Sequence, residues 1–520
     1  MTQRYSLNGR PLHEPVDLAS RLDETSTDVG RARVILDLIH ADGGDVVFSP
    51  ALGFASWDDV DGIWRLGADD DVRAYVHRLG DLLGALATEA FADAGQETDE
   101  DRHREALARA GRIRRQARSC HSSRAADAAL RELRALEPVR RIEPDDFDAD
   151  PTILAVGNGY LNLADGRLLE PNRFDLVTQR LDLDFDAEAT APRWEEFLRQ
   201  VLIGDDGETD DDLVAWIQRL IGYGITGSTS EQVFGVLHGV GANGKGVFLE
   251  TLADVFGPLV KTSPFSAFEA KGGQSIPNDL ARLAGSRLVF ASEGDARTPL
   301  SAPVVKRLTG EDRITARFLN REFFEFSPRF LILLATNHRP VVQDSSEGYW
   351  RRVRLVPFRR FFAPSERDRG LRTALRAEHA GILRWAVEGA IDWHASGLGN
   401  VATVEHETDL YRTTTDRLAE FIAGHLEISG EWLDVVKATE VWNAYRSWAD
   451  EAGEEHPLRR TTLLQTLGER RGITQGVRSK QAILRGVRIL DVAERKRREH
   501  EGDRALRLTT PGDAEEGATG

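Results

Sequence analysis

The residues Gly239-Val240-Gly241-Ala242-Asn243-Gly244-Lys245-Gly246 combine glycines with one lysine at a spacing suited to phosphate chemistry. Glycines let a loop turn successive backbone N–H groups toward phosphate oxygens, and a helix N-terminus beyond the loop adds a favourable dipole. Lys245 would place its ammonium on the β- and γ-phosphates. The expected ligand is ATP with Mg2+, contacted by Gly239, Gly241, Ala242, Asn243, Gly244, Lys245, Gly246 and Val247. The pattern G-x-x-x-x-G-K-[ST] ends in a hydroxyl residue that ligates Mg2+. Gly246 stands there instead. Two outcomes are open. Mg2+ is held by phosphates, water and a downstream acid, or hydrolysis is slow or absent while binding persists.

Three further groups could complete such a site. Glu293 and Asp295 follow an apolar run and are acids for the attacking water and, through water, for Mg2+, with Glu293 the first choice. Asn337 ends another apolar run, where a side-chain amide can bond the γ-phosphate or the water. Arg351 and Arg352 follow, placed to stabilise charge on a neighbouring subunit's nucleotide.

These residues need a scaffold that brings chain-distant positions to one edge. The runs 233–237, 288–291 and 330–335 are short and continuously apolar, as buried parallel strands are. Phe248, Leu252 and Phe256 mark a helix directly after the glycine loop. Strand, loop and helix are the context a phosphate loop requires, and acids at the C-terminal edge of such a sheet face the ligand crevice. Trp194 to Tyr223 reads as two amphipathic helices, one with Phe197, Leu198, Val201 and Leu202 on its apolar face, the other with Leu213, Trp216, Ile217 and Leu220. Residues 371–398 read as helical, with Leu383, Trp385, Ala386 and Ala390 inward.

The 520 residues carry 67 basic and 85 acidic side chains, a net charge of −18. Hydrophobic content of 41% allows several cores and excludes wholesale disorder. One cysteine, Cys120, excludes a disulfide scaffold and a zinc site built on several cysteines. The longest apolar run falls far short of the roughly 20 residues that span a bilayer. Residues 1–15 are too polar for a signal peptide. No membrane association and a cytosolic location, that of a bacterial host, are the expectation. The lysines are Lys245, Lys261, Lys271, Lys306, Lys437, Lys480 and Lys496, so nearly every cation is arginine. A surviving lysine marks positions where a compact ammonium matters, foremost Lys245 and Lys306.

The net charge conceals a local excess. Residues 456–499 hold twelve Lys or Arg and four Asp or Glu, a footprint for nucleic acid. Residues 440–448 and 459–471 read as helices, and 475–489 as a strand pair with turn formers Gly476 and Gly486. Helix, helix and β-wing predict a winged helix whose Arg459, Arg460, Arg478 and Lys480 meet DNA; a protein-docking domain is the other reading. The first 136 residues show a strand-and-turn patch at 45–64 and helical patterning from 71 to 136, interrupted at 95–104. They hold no catalytic constellation. Residues 153–169 read as a small β unit with turns at Asn158-Gly159 and Asp165-Gly166. The acidic cluster Asp145, Asp146, Asp148 and Asp150 reads as a solvated linker rather than a metal site. Residues 500–520 read as a disordered tail.

The ordered pieces resemble a known family. GVGANGKG at 239–246, LAGSRLVFASE at 283–293, VVKRLTGEDRITARFL at 304–319, LILLATNHRPVV at 331–342 and GYWRRVRLVPF at 348–358 are similar to the motifs of superfamily 3 helicases. The likeness is to the phage and plasmid primase-helicases related to the poxvirus replication ATPase. ILAVGNGYLNLADGRL at 153–168 and ILRWAVEGA at 382–390 extend it to about residues 146–490. The resemblance implies a multidomain α/β chain with an AAA+-like core, assembled as a homohexameric ring that translocates 3′ to 5′ on single-stranded or origin DNA. It implies that Lys245 binds phosphate, Glu293 activates water and Asn337 is the sensor. Arg352 matches the trans-acting finger best, with Arg351 second. The stretch Lys306–Arg321 matches a pore hairpin, with Lys306, Arg313 and Arg317 on DNA phosphates. The implied organisation is an N-terminal α/β region (1–145), a pre-helicase region with a helical oligomerisation collar (146–225), the ATPase core (226–400), the winged helix (415–495) and the tail. No primase constellation is read in the first 136 residues, so a separate primase or polymerase is the expected partner. A DNA-binding ring protein that holds nucleotide with little or no hydrolysis is the alternative.

Overall fold

The computed structural model describes residues 13–268, 278–292, 300–317, 324–340, 342, 346–415, 417–453, 457–468, 472–478, 481–491, 493–495 and 497. At its centre lies a five-stranded parallel sheet. Its order across the sheet is Val353–Pro357, Phe234–His238, Leu331–Thr336, Leu288–Ser292 and Val260–Pro264. The apolar runs become these strands because both faces of the sheet are covered. Side chains alternate across a strand: Leu237, Leu288, Phe290, Leu331, Leu333 and Val356 enter one core, while Phe234, Val236, Val289, Ile332, Leu334 and Leu355 enter the other.

The first of these cores includes helices expected to belong elsewhere. Helices Pro192–Val201 and Asp211–Thr226 present the expected faces, and Phe197, Leu198, Val201, Leu202, Leu213, Trp216, Ile217 and Leu220 are all buried. They pack against the parallel-sheet core of the same chain: Trp194 stacks on Phe248 at 5.6 Å and meets Trp385 edge-on at 5.5 Å. Their apolar faces are buried inside the chain. Residues 146–225 and 226–400 share one hydrophobic core.

Helix His379–Ser396 crosses Asp211–Thr226 at backbone contact. A Cβ on Gly222 would lie 2.1 Å from the Ala390 amide nitrogen, and one on Gly389 would lie 2.1 Å from the Gln218 carbonyl oxygen. The helical stretch after residue 371 is broken at Glu378, between Leu371–Ala377 and His379–Ser396. The Glu378 carboxylate accepts hydrogen bonds from the amides of Arg193 and Trp194, satisfying the start of helix Pro192–Val201.

The N-terminal region combines a helix, Asp28–Ala41, a three-stranded antiparallel sheet over Val46–Ser49, Gly53–Asp58 and Ile63–Leu66, and the helices Asp69–Ala94, Glu100–Cys120 and Ser123–Leu133. The polar interruption is shorter than the sequence suggests. Asp99 accepts from the amides of Asp101 and Arg102 and starts the second long helix at Glu100. In the small β unit, Val156 pairs with Gly159, so the tight turn is Gly157-Asn158 and not Asn158-Gly159. Asn158 is held by Phe185, whose carbonyl takes its amide and whose N–H reaches its oxygen.

Two of the four acids, Asp145 and Asp148, are half-buried rather than solvated, while Asp146 and Asp150 are exposed. Asp145 accepts from Ser327 N at 3.0 Å and Ser327 Oγ at 2.9 Å. Asp148 accepts from the Thr178 amide at 2.8 Å, and burial pushes its carboxyl pKa up against that bond. Two arginines at the start of sheet strands complete the junction. Arg287 donates to the carbonyls of Ile225, Thr226 and Ile153, and Arg329 to those of Phe147 and Asp145.

The C-terminal module has helices Ala438–Glu451 and Arg460–Gly468 and the hairpin Thr474–Arg478 with Gln481–Arg485. Gly476 lies within a strand opposite Ile483 rather than in a turn, while Gly486, at φ 75°, marks the bend into strand Val487–Ile489. No helix among the described residues is long and apolar enough to cross a membrane.

Burial lowers the pKa of His238, His379 and His394. The unfolded chain titrates these groups near pH 6.5 and binds their protons more readily than the folded one. Their contribution to stability is therefore present above about pH 6.5 and lost as pH falls from there toward the depressed folded values. Thermal unfolding should show a lower midpoint at pH 5.5 than at pH 7.5, and His238→Gln should flatten that slope.

Candidate nucleotide site

Strand Phe234–His238 delivers the glycine loop to the C-terminal edge of the sheet, and helix Lys245–Phe256 leaves from it. Gly241, Ala242 and Gly244 have positive φ of 67°, 46° and 92°. The loop is thus wound in the left-handed region, including one non-glycine residue, as expected where backbone N–H groups must converge. Gly239 is fixed by contact: a Cβ there would lie 2.2 Å from Asn243 Nδ2 and 2.3 Å from the Phe358 carbonyl oxygen. Gly244, the helix N-cap, carries no side-chain cap. The first amides of the helix have no intrahelical acceptor by geometry and face the loop end, where an anion is stabilised.

Lys245 is buried at 6% exposure. Its Nζ donates to the Gly239 carbonyl at 2.6 Å, Asn243 Oδ1 at 3.2 Å and Asn337 Oδ1 at 3.2 Å. The Asn243 amide nitrogen in turn donates to the Phe358 carbonyl at 3.1 Å. The lysine and the asparagine, 92 residues apart, meet because strand Leu331–Thr336 is the direct neighbour of strand Phe234–His238, with Thr336 opposite His238. The phosphate-loop cation and the amide expected to sense the γ-phosphate therefore touch. Val247 and Gly246 follow in the helix's first turn.

Gly246 leaves room for what it lacks: a Cβ there meets nothing within 4 Å, and its φ is not positive. Mg2+ commonly keeps several waters, so its binding would not require a side-chain oxygen at position 246. Glu293 and Asp295, the acids expected near the ion, lie outside the described residues. Replacing Gly246 by serine should fold normally and bind nucleotide, and it should raise turnover at limiting Mg2+. If titration with Mg2+ shows no such gain, the missing hydroxyl does not limit the reaction.

The two arginines have unlike surroundings. Arg352 is buried at 9% exposure; its Nε donates to Thr309 Oγ1 at 3.2 Å, its Nη2 to Gln232 Oε1 at 3.0 Å, and its Nη1 to the Gly348 carbonyl. Burial, then the charge of Arg351, lowers its pKa. Arg351 is exposed and donates to Gln232 Oε1 at 2.8 Å. Arg352 is thus tied into its own chain, while Arg351 is exposed. Both precede strand Val353–Pro357, at the edge of the sheet opposite the glycine loop. A five-residue strand spans about 16 Å, so neither reaches the phosphate site of its own chain. Gln232, which holds both, carried no signal in the sequence.

The expected DNA contacts divide similarly. Strands Ile314–Ala316 and Phe324–Phe326 form an antiparallel pair with Ile314, Ala316, Phe324 and Phe326 inward. Arg313, Thr315 and Arg317 alternate on its exposed face. Arg313 also pairs with Asp145 at 3.5 Å. Lys306 does not join that face; its Nζ donates to Ser346 Oγ at 2.8 Å. Arg321 and Lys480 lie outside the described residues. Arg459, Arg460 and Arg478 are exposed on the C-terminal module, where Arg459 immediately precedes helix Arg460–Gly468.

Comparison with known proteins follows this geometry. Residues 32–203 match the family described as "D5 N terminal like", and residues 237–352 match a family of unknown function. A protein of Acanthamoeba polyphaga mimivirus named "Putative helicase L207/L206" is 25% identical over 327 residues, covering 58% of this chain and 33% of its own length. The African swine fever virus protein "Putative primase C962R" is 23% identical over 324 residues, with 58% and 34% covered. "Putative helicase 022R" of Frog virus 3 is 30% identical over 131 residues, covering 24% and 13%. The chain spans about a third of the length of the first two relatives. Among solved structures, the apo NrS-1 C terminal region aligns over 88% of this chain and 99% of that one at 11% identity, with a TM-score of 0.45. The matched stretches include the glycine loop, the strand that ends just before Asn337 and the paired arginines. These matches support a D5-like primase-helicase family for the chain.

Proposed function

We propose that the chain is an ATP-hydrolysing DNA motor of the superfamily 3 helicase type, with an AAA+-like core, that works in replication as a homohexameric ring on single-stranded or origin DNA. The observation that carries this reading is the 3.2 Å contact between the Lys245 ammonium and Asn337 at the mouth of a left-handed glycine loop. ATP would lay its phosphates along the amides of residues 241–247, and Mg2+ would neutralise the charge that develops on transfer to water. Lys245 and Asn337 orient the γ-phosphate. Arg351 serves the neighbour's nucleotide, and Arg313 and Arg317 meet the DNA backbone in the ring. The winged-helix reading of the C-terminal module supplies a second DNA contact through Arg459, Arg460 and Arg478. A separate primase or polymerase would act on the exposed template.

The test is ATP turnover of the full chain with and without single-stranded DNA. Stimulated turnover supports the motor. Bound ATP without turnover favours the second reading, a DNA-binding ring protein that holds nucleotide, for which the absent hydroxyl at Gly246 is the specific observation.

The two arginines separate in the same assay. Arg351→Ala should lower turnover by about a thousandfold, the low end for a lost finger, while ATP still binds. Inactive Arg351→Ala chains mixed with Lys245→Ala chains should regain part of the activity, because each supplies what the other lacks. Arg352→Ala should chiefly destabilise the subunit, by stripping a buried partner from Thr309 and Gln232.

A further inference from the structure

Helix Ala402–Thr415 lies against the nucleotide edge of the sheet and runs toward the C-terminal module, whose first helix is Arg417–His425. Its Glu407 carboxylate, only 12% exposed, bridges two arginines. Arg339 Nη2 donates to one oxygen at 3.0 Å and Arg359 Nη2 to the other at 2.9 Å. Both arginines come from segments that wall the glycine loop. Arg339 stands two residues beyond Asn337, which touches Lys245. Arg359 follows Phe358, whose carbonyl takes the Asn243 amide. These segments continue the strands on either side of strand Phe234–His238.

The same helix makes two more bonds to those strands. Thr408 Oγ1 accepts from the Leu355 amide at 3.0 Å, and the buried Tyr411 hydroxyl donates to the Pro340 carbonyl at 2.6 Å. His238, at the end of strand Phe234–His238, records the closeness of these charges. Burial first, then the cations Arg339 and Lys245, depress its pKa, while Glu407 opposes them. An anion arriving on Lys245 changes the field that Arg339 feels, and the bond from Arg339 to Glu407 responds to that change.

We propose that Glu407 is the joint that passes nucleotide occupancy from the glycine loop to helix Ala402–Thr415, and thereby to the C-terminal module. It acts as a positioning residue, through Arg339 and Arg359. The proposal rests on the nucleotide reading above, and it explains why a buried carboxylate with two cationic partners sits on a connecting helix, a costly arrangement unless both partners stay in place.

Amide hydrogen exchange on the full chain, with and without Mg·ADP, tests it. In the wild type, nucleotide should slow exchange at residues 245–248 and, by about tenfold, along residues 402–415. Glu407→Gln keeps the shape and removes the charge. With Mg·ADP raised until residues 245–248 are protected to the wild-type extent, the variant's helix should show no slowing. Arg339→Gln and Arg359→Gln, each cutting one arm, should act alike. Matched loop protection also certifies that each variant is folded. Wild-type-like slowing in Glu407→Gln overturns the proposal. So does loop protection without any change in the wild-type helix, and that result leaves the nucleotide reading intact. No protection at the loop in the wild type overturns both.

Discussion

Lys245→Ala should reduce ATP turnover by about two to three orders of magnitude, the usual cost of removing a charge aimed at the reacting group. The size of the effect follows from the environment. The ammonium is buried, and three oxygens converge on it, from Gly239, Asn243 and Asn337. Lys245→Arg should rescue little, because a planar guanidinium cannot satisfy acceptors that a compact ammonium meets from several directions. Asn337→Ala should fall between, since it removes one of the three partners and the sensing amide but leaves the cation. Steady-state turnover, with ATP binding measured in parallel, separates the variants. An alanine variant as active as the wild type would remove Lys245 from the chemistry.

The largest effect on folding is expected where helices Asp211–Thr226 and His379–Ser396 cross. Gly222→Ala would place its Cβ 2.1 Å from the Ala390 nitrogen and 2.2 Å from the Gly389 carbonyl carbon. Overpacked cores lose about 1–3 kcal/mol when side chains can move aside. Here the obstructing atoms are the backbone of the facing helix, so the helices must separate, and the cost should reach or exceed the top of that range. A loss of that size is a large share of the roughly 5–15 kcal/mol that holds a domain together. Gly424→Ala is the control. It lies in helix Arg417–His425 with no atom within 4 Å of the added Cβ. The exchange should be neutral or stabilising by about 0.5–1 kcal/mol. Urea unfolding of both variants against the wild type decides the matter.

The parts of the site that were legible in the sequence are those written locally. A glycine-rich octet flanked by an apolar run and a helical pattern identifies its own strand, turn and helix, because each depends on neighbours within a few residues. The inward faces of helices Pro192–Val201 and Asp211–Thr226 were equally readable, since a 3.6-residue period needs no knowledge of what lies opposite. What lies opposite was the hidden part. The same apolar stripes serve an intermolecular collar or an intramolecular core, and only the contact with Phe248 and Trp385 distinguishes them.

Charged residues were misread for the same reason. Arg351 and Arg352 are adjacent and alike in sequence, yet Arg352 is buried against Thr309 and Gln232 while Arg351, which also bonds Gln232, stays exposed. Asp145 looks like linker until Ser327 and Arg313, far along the chain, close on it. Glu407 gave no signal, because its meaning depends on Arg339 and Arg359 arriving from two different strands. Lysine scarcity was informative once: Lys245 sits at the centre of the site, while Lys306, chosen on the same ground, bonds Ser346.

The central claim is that the loop at residues 239–247 holds nucleotide phosphates. Equilibrium titration of the full chain with ATP in the presence of Mg2+ tests it most directly. The wild type should bind one ATP per chain, and Lys245→Ala should weaken that binding at least tenfold, about 1.4 kcal/mol. Saturable binding of equal strength in both proteins, or none in the wild type, would contradict it.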